Sequence, residues 1–293
     1  MGRLRGKHRT ILLSACCLWF LFGCSSMPRN AAKKTEQSGR AQNFLDQGHK
    51  YYRTGMYPRA LASLKKALAL NASVDNESAV AQTLSSMGRV HLAMDDLDKA
   101  QACFQQAHKA ALGLHQPELL ALAKGGLGAV QLHRQQPQKA QTWFLEALEL
   151  PLDNTGSTRA TLLHDLGSAS RKLGQDTVAE SYFQQALTMH KPLRDFKGMA
   201  ADCYSLALLY EAQGHLEQAL QNARRALSHD KKAQIPPNIA QDLTLLGRLS
   251  FARGEMDEAG DYYRRAKLAW QALGRQDQIE LVNQSLQKIN SSF

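Results

Sequence analysis

A period of forty residues is the feature that most constrains this sequence. Six hexapeptides that end in alanine recur along the chain: GMYPRA, DDLDKA, QQPQKA, GQDTVA, GHLEQA and GEMDEA. Their final alanines stand at positions 60, 100, 140, 179, 219 and 259, with spacings of 40, 40, 39, 40 and 40 residues. A period this regular predicts a protein built from stacked structural repeats.

The residues around each hexapeptide keep a fixed order. The small residues twelve positions before each alanine are Gly48, Gly88, Gly128, Gly167, Ala207 and Gly247. The residues four positions after it are Leu64, Phe104, Phe144, Phe183, Ala223 and Tyr263, and another alanine follows seven positions after it. Steps of four and three lie on one helix face. We therefore expect two helices per repeat, with small residues of the first facing large residues of the second.

Local signals agree with a helical chain. Gly55, Gly174, Gly214 and Gly254 suit the tight turn between paired helices, because a left-handed backbone costs little only for glycine. Valine and isoleucine are rare in the chain. Since these residues favour strands, a sheet-based fold is not expected.

The order of small residue, alanine, aromatic residue and alanine resembles the tetratricopeptide repeat. Six copies would cover residues 41–274, and their length resembles the longer-helix variants of this repeat, such as those of kinesin light chains. The resemblance implies an all-α fold, an α-solenoid wound as a right-handed superhelix of about six helix pairs. Ala207 and Ala223 depart from the pattern in the fifth copy, and Lys124 stands where the family usually buries an apolar residue.

Residues 275–293 predict a last helix that caps the solenoid. Its expected apolar side consists of Ile279, Leu281, Val282, Leu286 and Ile289. Beyond residue 24 the chain has two cysteines, Cys103 and Cys203, which the repeat places on helices about two and a half copies apart. We expect no disulfide between them, because a bridge needs Cα atoms within about 7 Å.

The first 23 residues predict a bacterial lipoprotein signal peptide. A basic stretch precedes an apolar run over residues 10–23, whose length at ~1.5 Å per residue falls short of the hydrocarbon core and disfavours a transmembrane helix. The stretch Leu21-Phe22-Gly23-Cys24 resembles the lipobox of bacterial lipoproteins, where the signal is cut before the cysteine and its thiol is acylated. This resemblance implies lipid attachment at Cys24, because a cut at Cys16 would leave too short an apolar core. An ordinary signal or anchor is the alternative.

Residues 24–40 are polar, without an apolar period, and predict a flexible tether. Ser25 and Ser26 resemble the sorting signal for the outer membrane in bacteria with two membranes. We therefore expect a protein of the bacterial cell envelope that is lipid-anchored at the outer membrane and faces the periplasm, rather than one at the inner membrane.

Charge and motifs narrow the classes of function. The formal net charge is +10, but residues 41–293 carry only +3 of it, so no concentrated basic face indicates a nucleic-acid partner. The sequence lacks the spacings of a zinc protease, a phosphate-binding loop and a serine-hydrolase nucleophile. We expect no enzymatic activity, no cofactor, no metal and no small-molecule substrate.

A solenoid of this kind offers a long concave surface to another chain. In tetratricopeptide proteins the first helix of each pair lines this groove, and the resemblance implies which positions face it. The candidates are His49, Tyr52, Arg53, Arg89, His133, His164, Arg171, Lys172, Tyr204, Arg248 and Phe251.

The groove positions carry five permanent cations and one acid, Glu211. Arginine can grip a carboxylate with two hydrogen bonds, and aromatic rings can anchor apolar side chains. This predicts a protein or peptide ligand with an acidic or C-terminal segment. The alternative is a solvated face that contacts nothing in particular.

The leading hypothesis is a lipid-anchored envelope scaffold or adaptor that binds partner proteins through the groove. One alternative is an exported or membrane-tethered adaptor without lipid. Another is an enzyme subunit or a cell-wall polymer-binding accessory protein that uses its basic residues.

Overall fold

The computed structural model describes residues 29–153 and 156–291, with side chains from Lys34 onward. Within these ranges the regular structure consists of thirteen helices and no strand. They are α1 (Arg29–Arg53), α2 (Tyr57–Ser73), α3 (Glu77–Ala93), α4 (Leu97–Leu112), α5 (Pro117–His133), α6 (Pro137–Leu148), α7 (Ser157–Lys172), α8 (Asp176–His190), α9 (Phe196–Ala212), α10 (Leu216–Ala233), α11 (Pro236–Ala252), α12 (Met256–Ala272) and α13 (Gln276–Asn290). The predicted all-α fold is confirmed.

The helices form six pairs that stack in chain order. Each odd-numbered helix from α1 to α11 packs most extensively against the even-numbered helix that follows it. Neighbouring odd-numbered helices from α1 to α9 also approach one another, so they form the inner layer. The even-numbered helices form the outer layer, and the result is an α-solenoid with a concave inner face.

The turn inside each pair has one residue in the left-handed region. The predicted glycines occupy it in four copies, for example Gly55 at φ 75° and Gly254 at φ 87°. The equivalent residues of the second and third copies are Asp95 at φ 59° and Gln135 at φ 58°. The turn geometry is therefore the same in all six copies, although two copies adopt it without glycine.

Small residues allow the two helices of a pair to approach closely. A Cβ atom added at Gly128 would lie 2.5 Å from the ring of Phe144, which leaves no room for a larger residue. In the fifth copy Ala207 faces the inner side of the pair and Ala223 replaces the aromatic residue, and both are fully buried. Since α9 and α10 make the most extensive contact of any pair, the two alanines compensate for each other.

Lys124 lies at a position that is apolar in most copies, yet its charge is not buried alone. Its Nζ atom is 2.6 Å from Oε2 of Glu146 and 5.6 Å from the centre of the Trp143 ring. The aliphatic stem therefore packs between the helices while the ammonium group reaches a carboxylate at the surface.

The helical part of the chain begins earlier than the sequence predicted. Residues 29–40 belong to α1, whereas a flexible tether was expected over residues 24–40. This stretch is rich in alanine, lysine, glutamate and glutamine, which favour a helix without any apolar period. It also extends an existing helix, so it needs no separate nucleation.

The last helix, α13, packs against α12. In α13, Ile279, Val282 and Ile289 are buried, whereas Leu281 is 54% exposed because it lies off that face.

Cys103 in α4 and Cys203 in α9 are free thiols. The predicted signal peptide and Cys24 lie outside the described residues. No helix in the described ranges is long and apolar enough to span a membrane.

Candidate functional site

The inner layer encloses a cavity of about 540 Å³. Its wall includes apolar residues of α5 and α7, such as Leu122 and Leu162, and polar residues of α3, such as Ser85. Two adjacent glycines of α5, Gly125 and Gly126, also line it. A Cβ atom added at Gly126 would clash with the ring of Phe104, so this glycine makes room for the ring, which also lines the cavity.

Contacts between distant copies lie beside the cavity. The Nζ atom of Lys197, in the first turn of α9, lies 5.3 Å from the centre of the Tyr52 ring in α1. Nearby, a Cβ atom added at Gly55 would lie 3.3 Å from the ring of Pro237 at the start of α11. The first copy therefore meets the fifth and sixth copies.

Four of the eleven predicted groove residues line this cavity: Tyr52, Arg89, His133 and His164. The other seven are His49, Arg53, Arg171, Lys172, Tyr204, Arg248 and Phe251, which lie outside its lining.

Several groove residues outside the cavity have partners of their own. Arg248 Nη2 lies 2.7 Å from Oε2 of Glu211, so the one acid of the predicted set neutralises one of the five cations. Lys172 donates a 3.1 Å hydrogen bond to the side chain of Gln135. Tyr204 and Phe251 pack against the core of the last copies. Of the five predicted groove cations, Arg248 is therefore the one that an ion pair within the described residues neutralises.

Three cations gather around Tyr52 without a carboxylate partner. Arg53, Arg89 and Lys197 make no ion pair with any residue that the structure describes. Burial, and then the charge of Arg89, lower the pKa of Lys197, although Asp195 and Asp230 act in the opposite direction. We call Arg53, Arg89 and Lys197 the basic cluster.

His49 lies beside the basic cluster, and its pKa responds to burial and to the positive charge there. Its Nε2 atom lies 3.0 Å from Oγ of Ser86, which also accepts a 3.2 Å hydrogen bond from Arg89. Burial lowers the pKa of His49, and Arg89 lowers it further. A neutral histidine beside the basic cluster adds no positive charge to it.

A second polar group borders the cavity between the fourth and fifth copies. The fully buried Asp202 accepts hydrogen bonds from Nδ1 of His164 at 2.7 Å and from Nδ1 of His190 at 2.8 Å. Burial alone would lower the pKa of His164, but its hydrogen bond to Asp202 and the charge of Asp202 raise it overall. Burial raises the pKa of the neighbouring Asp165 to about 6.

The next copy carries two carboxyl groups at the equivalent positions. Asp230 and Asp242 are both buried and share a hydrogen bond, and Asn238 donates a 3.2 Å hydrogen bond to Asp230. Burial and then the charge of Asp230 raise the pKa of Asp242 to about 9. Asp242 therefore keeps its proton at neutral pH and donates it to Asp230.

Sequence reasoning missed these buried pairs and Lys197. The signal for the pairs was present, since Asn71 and Thr83, His190 and Asp202, and Asp230 and Asp242 are all separated by twelve residues. Within the described ranges, no group of three or more potential metal-ligating side chains is placed to hold a metal ion.

The fold and its cavity define a class of protein, the repeat solenoids that present a concave surface. Family models described as tetratricopeptide repeat match residues 37–113, 79–153 and 118–192, and a further one matches residues 204–272. The chain belongs to the tetratricopeptide repeat family. No curated protein matches its sequence.

Solved structures support the same fold. A Rap protein complexed with competence and sporulation factor is 15% identical, with a TM-score of 0.62 over 91% of this chain and 82% of that one. PilF of Pseudomonas aeruginosa is 18% identical, with a TM-score of 0.52 over 89% of this chain and 100% of that one. PilW, a type IV pilus biogenesis factor, is 21% identical, with a TM-score of 0.53 over 83% and 97%.

Proposed function

We propose that this protein is a lipid-anchored scaffold or adaptor of the bacterial cell envelope that binds partner proteins in its concave groove. The observation that carries the proposal is the cavity of about 540 Å³, which combines an apolar wall with unpaired cations. A surface of this kind suits a peptide segment, which brings apolar side chains and hydrogen-bonding groups together.

The partner is a protein segment with acidic character or a free C-terminus. Arg89, Lys197 and the Tyr52 ring support this choice, because they offer charge and aromatic surface within one cavity. A Rap protein of similar fold is complexed with competence and sporulation factor, which supports a bound partner by analogy of fold alone.

The anchor is the acylated thiol of Cys24, after cleavage of residues 1–23. The lipobox-like stretch before Cys24 supports this assignment, and the similarity in fold to PilF and PilW agrees with a role in the envelope. Ser25 and Ser26 favour the outer membrane, where the solenoid would face the periplasm. The α1 helix from Arg29 onward would then hold the groove at a short distance from the lipid.

The proposed role is that of a non-enzymatic scaffold. Its strongest competitor is an adaptor that is exported or membrane-tethered without lipid. Metabolic labelling with an alkyne fatty acid separates the two. We expect label on the wild type and on the Cys16→Ser control, and none on Cys24→Ser. Label that persists on Cys24→Ser would reject the anchor.

The groove is tested by photo-crosslinking in native cells. A photoreactive residue at Leu122 would lie in the cavity, whereas one at Leu268, which is 66% exposed on the outer layer, serves as the matched control. We expect a discrete partner protein to be captured from position 122 and not from position 268. Equal capture from both positions would contradict binding in the groove.

A further inference from the structure

We propose that the basic cluster and Tyr52 form a carboxylate-binding subsite that joins the first, second and fifth copies of the solenoid. This inference rests on the proposed function and specifies where an acidic side chain or C-terminus of the peptide binds. The residues come from α1, α3 and α9, so the subsite exists only because the solenoid closes on itself.

The case begins with three neighbouring cations that make no ion pair within the described residues, while Asp195, which also lines the cavity, and Asp230 attract Lys197 from a greater distance. Eight other lysine and arginine residues of the described chain, among them Arg248 and Lys124, reach a carboxylate within 4 Å, but no member of the basic cluster does. Arg89 lowers the pKa of both Lys197 and His49, so these groups interact with one another across the groove. An anion placed among them would remove this repulsion.

The geometry supplies complementary hydrogen-bond donors. Arg89 and Lys197 line the cavity from opposite parts of the sequence, and Lys197 is held over the Tyr52 ring at 5.3 Å. A carboxylate can accept hydrogen bonds from a guanidinium and an ammonium group at once. Leu92 and Leu122 in the same cavity would contact the apolar neighbours of the acidic residue.

Binding at this position also has a structural consequence. Arg89 belongs to the second copy and Lys197 to the fifth, so one bound carboxylate would connect helices more than a hundred residues apart in sequence. The ligand would then stabilise the closed form of the coil in addition to occupying its groove.

The probe is a fluorescein-labelled hexaglutamate peptide, titrated with the full mature chain at low salt and followed by fluorescence anisotropy. We expect saturable binding, at least about tenfold weaker binding of hexaglutamine, and about tenfold weakening in Lys197→Gln and in Arg89→Gln. Lys65→Gln removes one charge from α2 on the outer layer and should change affinity less than about twofold. Circular dichroism checks that each variant folds.

Two results would overturn the subsite. One is hexaglutamate affinity that is unchanged in Lys197→Gln, or an absence of binding to the wild type. The other is that inorganic phosphate or phosphatidylglycerol vesicles displace the labelled peptide more strongly than unlabelled hexaglutamate does. That result would assign the cluster to a phosphate group. Loss of crosslinked partner at position 122 with intact hexaglutamate binding would instead reject the proposed function and leave the subsite standing.

Discussion

The joint between the fourth and fifth copies and the joint between the fifth and sixth copies use the same two repeat positions for different chemistry. One position lies eleven residues after the repeat alanine and the other five residues before the small residue. In the first joint these are His190 and Asp202, with His164 as a third member, and in the second they are Asp230 and Asp242.

The difference shows that the fold dictates a contact but leaves its chemistry open. Each joint is buried, so its polar groups pair with one another rather than with water. The first joint places two imidazole donors on one carboxylate, and the second shares a proton between two carboxyl groups, although Nε2 of His190 and Oδ2 of Asp242 have no hydrogen-bond partner within the described residues. The same substitution at the two equivalent aspartates should therefore have opposite effects.

The largest effect is expected for Asp202→Asn. It removes the charge that holds two imidazole groups, and an asparagine offers only one oxygen for both donors. We expect the free energy of unfolding at pH 6 to fall by about 2–3 kcal/mol, measured by urea denaturation. The pKa of His164 is raised in the folded protein, so charged His164 stabilises the wild type fully below pH 6.5 and loses this effect as the pH rises through its pKa in the folded state. The loss of unfolding free energy in Asp202→Asn should therefore shrink above that range. A deficit that does not vary with pH would contradict the assigned hydrogen bonds.

The next effect is expected for Gly198→Ala, which tests the packing of the first joint. A Cβ atom at this position would lie 2.5 Å from the His190 ring, so the helix would have to shift. We expect a loss of about 2 kcal/mol in urea denaturation. The equivalent residue of the second joint is Asn238, and Asn238→Ala should cost only about 1 kcal/mol because it removes one hydrogen bond without a clash. Equal costs would show that the two joints are packed alike.

A gain is expected for Asp242→Asn. Because the folded pKa of Asp242 is raised above the usual value of 3.8, the folded chain keeps a proton that the unfolded chain releases, and wild-type stability falls as the pH rises. An asparagine can donate to Asp230 at any pH. We expect the variant to be more stable than the wild type by about 1 kcal/mol at pH 8, with a smaller difference near pH 4, in thermal unfolding followed by circular dichroism. A variant less stable than the wild type at pH 8 would contradict the shared proton.

The smallest effect is expected at the joint between the first and second copies. There Asn71 donates a long, 3.4 Å hydrogen bond to Thr83 at the same pair of positions, and neither group titrates. Thr83→Val should cost no more than about 1 kcal/mol, with no dependence on pH between 5 and 8. If the loss of unfolding free energy in Thr83→Val depended on pH, the titratable groups would not explain the difference between the joints.

The repeat could be predicted from the sequence in considerable detail. The period, the turn glycines, and the contact of small with aromatic residues are local features, so spacing alone locates them. Gly128 against Phe144 and the left-handed Gly55 are examples. The register also placed Tyr52, Arg89, His133 and His164 on the inner face, where they line the cavity.

Other parts of the site depend on the curvature accumulated over several copies and on contacts between copies. Lys197 reaches Tyr52 only because the curvature of four successive copies brings α9 back to α1, and no spacing in one repeat encodes that distance. His190 was missed because it lies on a second helix, whereas the groove was assigned to first helices alone. The ion pair of Arg248 with Glu211 joins neighbouring copies, so the spacing within one repeat does not indicate it.

The contact of the first copy with the fifth and sixth has a consequence for folding. In an open repeat array each unit touches only its neighbours, so the array can unravel from either end in small steps. Here the Tyr52–Lys197 contact and the close approach of Gly55 to Pro237 join the two ends of the coil. Fraying of α11 would release α1 as well, so the ends should lose their hydrogen-exchange protection together rather than one copy at a time.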